Sequence, residues 1–254
     1  MKQIYICSDT ITGIYSALYD AWKENRDKEA GIELRGKTQQ QLFCEYTVVE
    51  ENGEKAFQLE RMVKRYLGYN AYWDIYHALL SDDEQKGEAV FRTMQEARKI
   101  QDSRRIMDHL GNPDVAQVFQ LSRSVSNEAH LYQAFIRFRE LEGGLLFSEI
   151  SPKAQVLTCI AEHFADRFPL ENWMIYDKTH QVFLVHRERE KWRLVWGQEL
   201  DKQAAARISK EEKEYETLWK GFFDSIAIQE RKNDRLQKTH LPLRYRAEMT
   251  EFSD

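Results

Sequence analysis

The chain has 254 residues, with 37 lysines and arginines against 42 aspartates and glutamates, and a net charge of −5. This length supports one large or two small domains with a hydrophobic core. Its 42% hydrophobic and 31% charged residues exclude a disordered chain. The mild acidity excludes a uniformly basic nucleic-acid-binding protein, so any such contact must be a local patch.

The cysteines and the N-terminus predict where the protein works. Cys7, Cys44 and Cys159 are far apart, which favours reduced thiols and a cytoplasmic location. The opening MKQIYICSDT has no apolar signal core, and no apolar run approaches the roughly 20 residues that span a bilayer. The 7 histidines lack the spacing of a Cys/His metal site. We therefore expect a cytoplasmic protein without a membrane contact, a metal or another cofactor.

The first part of the chain predicts two strands and a series of helices. KQIYIC alternates like a strand, and the polar residues after it can cap a helix. Residues 26–41 are polar and predict a loop, whereas LFCEYTVVE is β-branched and aromatic and predicts a second strand. Between residues 55 and 101 we predict three helices, with breaks near Gly68 and near Ser81.

The stretch 118–168 organises the remainder of the chain. It reads as a helix, a turn at Gly143 and Gly144, a short extended piece and a second helix. After Pro169, the runs WMIYD, QVFLVH and KWRLVW are separated by short turns and predict an antiparallel meander. A helix over about 210–230 and a basic tail follow.

These patterns together predict the fold class. We expect an α+β protein that is mostly helical, with a small antiparallel β-meander and a short N-terminal strand pair. No internal repeat, low-complexity segment or linker interrupts the chain. We therefore predict a single α+β domain over 1–254, with a division into lobes 1–110 and 111–254 as the alternative.

The segment from Gly31 to Thr38 matches the P-loop pattern G-x-x-x-x-G-K-T. A P-loop needs a strand before it and a helix after it, so that backbone amides and a helix N-terminus converge on phosphate. Here a charged helix precedes the motif and a strand is predicted after it. We therefore interpret the match as accidental and expect no nucleotide to bind there.

A polar constellation is predicted around Glu128, which lies within the apolar stripe of the first organising helix. His163 and Arg167 are four residues apart, and therefore neighbours, at the margin of the stripe on the second helix. We expect Glu128 to reach one of them across the glycine turn. These three residues are the candidate catalytic set, with Glu128 as a general acid or base. The structural alternative is a buried carboxylate satisfied by His163, Arg167 or backbone amides.

The C-terminal segment, residues 228–246, is the strongly basic stretch of the sequence. Its basic side chains suit phosphate contacts, and Tyr245 suits stacking on a base; a solvated basic tail is the alternative. Arg137 points away from Glu128 on its helix and suits an anion contact. The predicted nucleic-acid-binding residues are Arg137, Arg231, Lys232, Arg235, Lys238, Arg244, Tyr245 and Arg246.

Three runs carry a resemblance to a family: NEAHLYQAFIRF, SPKAQVLTCIAEHFADRFPLENWMIYD and WKGFFDSIAIQERKNDRLQKTHLPLRY. They resemble an uncharacterised bacterial family associated with DNA metabolism or DNA repair. Its members are typically encoded beside a radical SAM protein, and a related domain is in some bacteria fused to a uracil-DNA glycosylase-superfamily domain. The polar and aromatic signature of the family would fall on Glu128, Arg137, His163, Arg167, Trp173 and Asp177.

The resemblance implies a pathway rather than a reaction. The glycosylase motifs of the fused relatives are absent, so we do not expect uracil excision. We expect a nucleic-acid-binding accessory protein that works with a radical SAM enzyme in DNA repair or modification. One alternative is a metal-independent hydrolase or nuclease using Glu128, His163 and Arg167, and another is a structural adaptor for the radical SAM partner. The sequence leaves open whether the protein is an enzyme.

Overall fold

The computed structural model describes residues 2–25, 29–37, 42–226, 233–246, 248, 249 and 252. The chain divides into two compact units, Met1–Asn127 (unit 1) and Glu128–Asp254 (unit 2). Helices account for 53% and strands for 17% of the chain, in two sheets, which confirms the predicted α+β class. The single domain expected from the sequence stays a prediction.

Unit 1 begins with a parallel sheet. β1 (Lys2–Cys7) lies in the middle, β2 (Ala30–Leu34) on one side and β3 (Cys44–Val48) on the other. Both neighbours run parallel to β1, and α1 (Ile11–Asn25) connects β1 to β2. The predicted N-terminal strands are therefore present, and β2 is an addition to them.

The predicted loop over residues 26–41 is wrong for β2. All of this strand except Glu33 is buried, so its residues do not alternate between polar and apolar in the way that marks a half-exposed strand. A Cβ atom at Gly31 would lie 2.8 Å from Ile4 Cδ1, so a larger residue there would require the Ile4 side chain to shift. Gly31 and Glu33 are two of the five residues of β2, and neither residue type is typical of a strand.

Three helices follow the sheet, as the sequence predicted. They are α2 (Gly53–Tyr66), α3 (Gly68–Leu79) and α4 (Lys86–Ala97). The side chain of Asn52 caps α2 by accepting hydrogen bonds from the first backbone amides of the helix. Gly68 has a φ of 84°, a left-handed conformation that separates α2 from α3.

Unit 1 has a hydrophobic core built by the sheet and by α1 to α4. Its buried side chains include Tyr5, Ile14, Leu18, Ile32, Leu59, Ile75 and Phe91. A 3₁₀ helix (Ser103–Asp108) and the first part of α5 (Pro113–Phe135) add Ile106, Val115 and Val118 to it. The helix α5 continues from unit 1 into unit 2.

Unit 2 contains a mixed sheet in the order β4-β5-β6-β7-β8. Its strands are β4 (Arg139–Glu140), β5 (Leu146–Ile150), β6 (Trp173–Asp177), β7 (Val182–His186) and β8 (Arg193–Trp196). The last three pair antiparallel, which confirms the predicted meander. β5 runs parallel to β6 because α6 (Leu157–Arg167) forms the crossover between them.

Four more described helices follow the sheet of unit 2. They are α7 (Lys202–Ala205), α8 (Lys210–Ile226), α9 (Asp234–His240) and α10 (Leu243–Arg246). The face of α6 that carries Ile160 and Phe164 is buried, and the Phe164 ring packs against Trp173 of β6. Within the described ranges, no helix is both long enough and apolar enough to span a membrane.

Candidate nucleic-acid interface

The Glu128 carboxylate joins three segments of unit 2. Glu128 is 7% exposed on α5. Its Oε1 accepts a hydrogen bond from Lys153 N at 3.1 Å, and its Oε2 accepts one from Ala154 N at 2.9 Å. Arg244 Nη2 on α10 forms an ion pair with Oε1 at 3.2 Å. Glu128 therefore fixes the connection between β5 and α6, as a buried carboxylate that accepts hydrogen bonds from backbone amides.

The predicted contact of Glu128 with His163 or Arg167 is wrong. Both side chains are exposed on α6, on the side away from its buried stripe. The His163 ring contacts Phe164, and the Arg167 guanidinium lies 5.5 Å from the centroid of the Phe168 ring. Among the described residues, the partners of Glu128 come from the turn before α6 and from α10. The structure therefore does not assemble the candidate catalytic set.

The structure also corrects the role expected for Tyr245. Its side chain is 3% exposed, and its ring centroid lies 4.9 Å from Tyr132 and 5.5 Å from Phe135. Arg244 Nη2 donates a hydrogen bond to Tyr245 Oη at 2.5 Å, and burial raises the pKa of Tyr245. A ring packed in this way has no free face for a base. Tyr245 and Arg244 anchor the C-terminal segment to α5.

The other predicted nucleic-acid-binding residues divide into two groups. Arg137 Nη1 donates to Ala134 O and Ile136 O, which closes the end of α5. Arg246 donates to a backbone carbonyl and stacks on Phe252. By contrast, Arg235 and Lys238 are exposed on α9. Two more of the predicted residues, Arg231 and Lys232, lie outside the described residues.

The two remaining signature positions have structural roles in unit 2. Trp173 is fully buried and stacks on His186, with ring centroids 5.0 Å apart and planes 7° from parallel. Asp177 is 1% exposed and accepts hydrogen bonds from the backbone amides of Thr179 and His180, which shapes the turn between β6 and β7. Both residues therefore stabilise the meander.

The P-loop match also has a structural explanation. Its first four residues form β2, so their backbone groups pair with β1 instead of surrounding a phosphate. Gly36 has a φ of 84° in the turn after the strand, and Lys37 Nζ pairs with Glu84 at 2.7 Å. Thr38 lies outside the described residues. The absence of nucleotide binding stays a prediction.

A group of exposed aromatic and basic side chains lies on α2 and α3. Phe57, Tyr66, Tyr69 and Trp73 are between 51% and 66% exposed. The Arg61 guanidinium lies 5.7 Å from the Phe57 ring centroid, and the Arg65 guanidinium lies 5.5 Å from that of Tyr66. We define the α2–α3 surface as Phe57, Arg61, Arg65, Tyr66, Tyr69 and Trp73.

The charge of the α2–α3 surface is positive. Within the described part of the chain, neither Arg61 nor Arg65 pairs with a carboxylate. Glu60 is neutralised by an ion pair with Lys64, whose Nζ also lies 5.8 Å from the Tyr69 ring centroid. Lys64 thus connects α2 to α3 while the arginines remain available to an anion.

Contacts within α3 and a contact from the 3₁₀ helix support the α2–α3 surface. Trp73 packs edge-on against Tyr72 and Tyr76, at centroid distances of 5.2 Å and 5.7 Å. The 3₁₀ helix is attached to the end of α2 by a hydrogen bond of 2.7 Å from Ser103 Oγ to Tyr66 O. This attachment places exposed Arg104 beside the α2–α3 turn, since its Cγ lies 3.8 Å from the position of a Cβ on Gly68.

The sequence predicted the helices α2 and α3, but their exposed side chains were given no function. The signal that was missed is spacing: Phe57, Arg61 and Arg65 recur every four residues on the polar side of α2. Tyr66 at the end of α2 and Tyr69 near the start of α3 are exposed on either side of Gly68. A repeat of this kind brings basic and aromatic groups to one helix face, although the segment is not basic overall.

Fold and surface together define an α+β protein of two units, with a basic and aromatic surface on unit 1. A family model described as a domain of unknown function, DUF4130, matches residues 84–251. The match covers more than half of the chain, and the protein therefore belongs to the DUF4130 family. Comparison with curated proteins gives no match. In the described ranges, no three His, Cys, Asp or Glu side chains are grouped as a metal site.

Proposed function

We propose that this protein is a nucleic-acid-binding accessory protein in DNA metabolism or repair. The α2–α3 surface is the observation that supports this function. It combines four half-exposed aromatic rings with two arginines that have no carboxylate partner among the described residues. Exposed rings stack on bases, and arginines bind the phosphates between them.

The surface favours a single strand over a duplex. Its rings can stack only on bases whose faces are open, and those of a duplex are covered by their neighbours. The net charge of −5 means that the rest of the protein gives no general attraction to phosphate, so binding depends on the local patch.

The resemblance to the family described above supports a place beside a radical SAM enzyme in DNA repair or modification. In this proposal the partner supplies the iron–sulfur chemistry, and this chain holds the nucleic acid. The relation to a domain that is fused to uracil-DNA glycosylase-superfamily domains supports the same pathway. Glu128, His163 and Arg167 are not assembled into one site, so the hydrolase alternative gains no support.

Fluorescence anisotropy with a short labelled single strand tests the proposal. Replacing Arg61 and Arg65 with alanine should weaken binding, and should reduce the slope of log K against log salt by about 1.4, because each lost phosphate contact on a single strand contributes about 0.7. Replacing Tyr69 and Trp73 with alanine should cost about 1–3 kcal/mol for each base that no longer stacks.

Arg105→Ala is the matched control for the arginine changes. Arg105 is an exposed arginine of unit 1 that pairs with Asp108, so its loss should leave affinity and salt slope unchanged. A wild-type protein that binds no strand, or one whose affinity is insensitive to both pairs of changes, would exclude the proposed function.

The structural adaptor is the second candidate, because α8 has an exposed apolar stripe. Tyr215, Leu218, Trp219 and Phe222 recur at helical spacing and are between 42% and 68% exposed. An exposed apolar stripe on one side of a helix is typical of a surface that contacts another protein. In this candidate function the stripe binds the radical SAM partner.

Co-purification with the radical SAM protein tests the adaptor. Leu218→Ser combined with Phe222→Ser should abolish the association and leave nucleic-acid affinity as it is. Thr217→Ser, an exposed change on the same helix outside the stripe, is the control. An association that survives the double change would remove α8 as the contact surface.

A further inference from the structure

A cavity of about 530 Å³ lies in unit 1, between α1, α2, α4 and the 3₁₀ helix. This volume is within the range of about 300–1,000 Å³ typical of ligand pockets. Its lining is mainly apolar and includes Trp22, Met62 and Met94, with Gln101 and Ser103 as polar groups. The cavity therefore suits a ligand that buries a ring and presents polar atoms at its edge.

One arginine–aromatic pair lines this cavity, and a second lies at its edge with only its aromatic ring in the lining. Arg98 and Trp22 both line it, and the Arg98 guanidinium lies 5.8 Å from the centroid of a Trp22 ring. Tyr66 also lines it, and carries the Arg65 guanidinium 5.5 Å from its ring centroid. Tyr66 and Arg65 are part of the α2–α3 surface, so the surface and the cavity are continuous.

The combination restricts the chemistry of the ligand. A purely apolar ligand would make no use of the Arg65 guanidinium, and an inorganic anion would leave the apolar walls unfilled. A planar, hydrogen-bonding ring attached to a phosphate uses both, since the ring can stack on Trp22 and the phosphate can pair with Arg65. The Gln101 amide offers both a donor and an acceptor to the edge of such a ring.

We propose that this cavity, the base pocket, receives one nucleobase of the strand that the α2–α3 surface binds. The proposal rests on the proposed nucleic-acid-binding function and adds the position of one unstacked base. A base within a duplex cannot enter unless it is extruded, so the pocket selects for single strands or for bases that unpair easily.

The test compares two labelled strands of equal length, one of thymidine residues and one in which abasic residues replace every nucleoside. The full-length wild-type protein should bind the thymidine strand more tightly. Trp22→Leu should reduce this preference by about fivefold or more, the loss expected when one base no longer stacks. The affinity for the abasic strand should stay the same, because its phosphates meet unchanged arginines.

Gln101→Trp gives a second route to the same result. Gln101 is exposed, so a larger side chain there can obstruct the base pocket without disturbing the core, whereas Trp22 is partly buried. Gln120→Trp is the matched control, since Gln120 is exposed on α5 in unit 1 and does not line the cavity. Thermal unfolding establishes that each variant is folded.

The outcomes separate the base pocket from the α2–α3 surface. In one outcome, the Arg61 and Arg65 changes weaken binding while Trp22→Leu and Gln101→Trp keep the preference for the thymidine strand. The α2–α3 surface then binds nucleic acid, and the proposal of a base pocket is overturned. If neither strand binds the wild-type protein, the proposed function fails as well. Saturable binding of free thymidine 5′-monophosphate that Gln101→Trp abolishes, without any strand binding, would overturn the assignment to a strand.

Discussion

The α2–α3 surface and the C-terminal segment, α9 and α10, both combine arginines with tyrosines, but the two regions use them in opposite ways. In the C-terminal segment, Arg244 pairs with buried Glu128 and Tyr245 is 3% exposed. On the α2–α3 surface, Arg65 has no carboxylate partner in the described part of the chain and Tyr69 is 66% exposed. The two regions thus contain the same residue types, but their side chains differ in burial and in internal partners.

Internal partners decide what a basic and aromatic segment can bind. A guanidinium that already pairs with a carboxylate and a tyrosine has lost part of its attraction for phosphate, and a packed ring has no face to offer. The C-terminal segment is richer in basic residues along the sequence, yet Arg244 and Arg246 in it already contact other groups of the protein. An excess of basic residues along a sequence therefore does not show which of their side chains remain open to a ligand.

The largest loss of stability is expected for Tyr245→Ala, because the Tyr245 ring is buried. Removal of a buried aromatic ring costs about 3–5 kcal/mol of unfolding free energy. Tyr69→Ala, at an exposed position, should change the unfolding free energy by less than about 0.5 kcal/mol and should instead weaken single-strand binding. Chemical denaturation and anisotropy on both variants measure the two quantities. A destabilised Tyr69→Ala, or a stable Tyr245→Ala with reduced strand affinity, would reverse the assignment of the two regions.

A smaller loss of stability is expected for Glu128→Gln. The change removes the charge that holds Arg244 and presents an amide group to the backbone amides of Lys153 and Ala154. Hydrogen bonds to a charged group contribute about 1.5–3 kcal/mol, so we expect a loss of about 2 kcal/mol in chemical denaturation.

Glu190→Gln is the control for this change in the same unit. Glu190 pairs with Arg193 on the surface, where both side chains are about half exposed, and such pairs contribute less than about 1 kcal/mol. Equal losses for the two variants would mean that Glu128 is no more than a surface ion pair.

Much of the fold could be predicted because its signals are local. The breaks at Gly68 and near Ser81 separate α2, α3 and α4 where the sequence placed them, and the three runs after Pro169 form the meander. The loop predicted over residues 26–41 failed at β2, because a strand buried on both faces has no alternation to recognise.

The candidate sites were harder to predict because their geometry depends on long-range contacts. The helical wheel placed Glu128 correctly in a buried stripe, but could not show that its partners lie in the turn at Lys153 and in α10. Periodicity gives the face of a helix and not the segment that packs on it. The same limit hid the burial of Tyr245, whose packing against α5 joins residues about a hundred positions apart.

The smallest expected effect concerns Arg235 and Lys238, the exposed basic residues of α9. Neither residue takes part in the contacts that Arg244 makes with Glu128 and Tyr245. We therefore expect both to attract a strand weakly and without base preference. Each exposed charge is screened by salt and contributes about 0.2–1 kcal/mol at most, so alanine at either position should lower affinity by less than about fivefold. The effect should be the same for thymidine and abasic strands, because phosphate contacts carry no base information.

Anisotropy at low and high salt measures the loss of affinity, with Arg105→Ala as the exposed control. A loss larger than that of the Arg61 and Arg65 changes would return the main binding surface to the C-terminal segment.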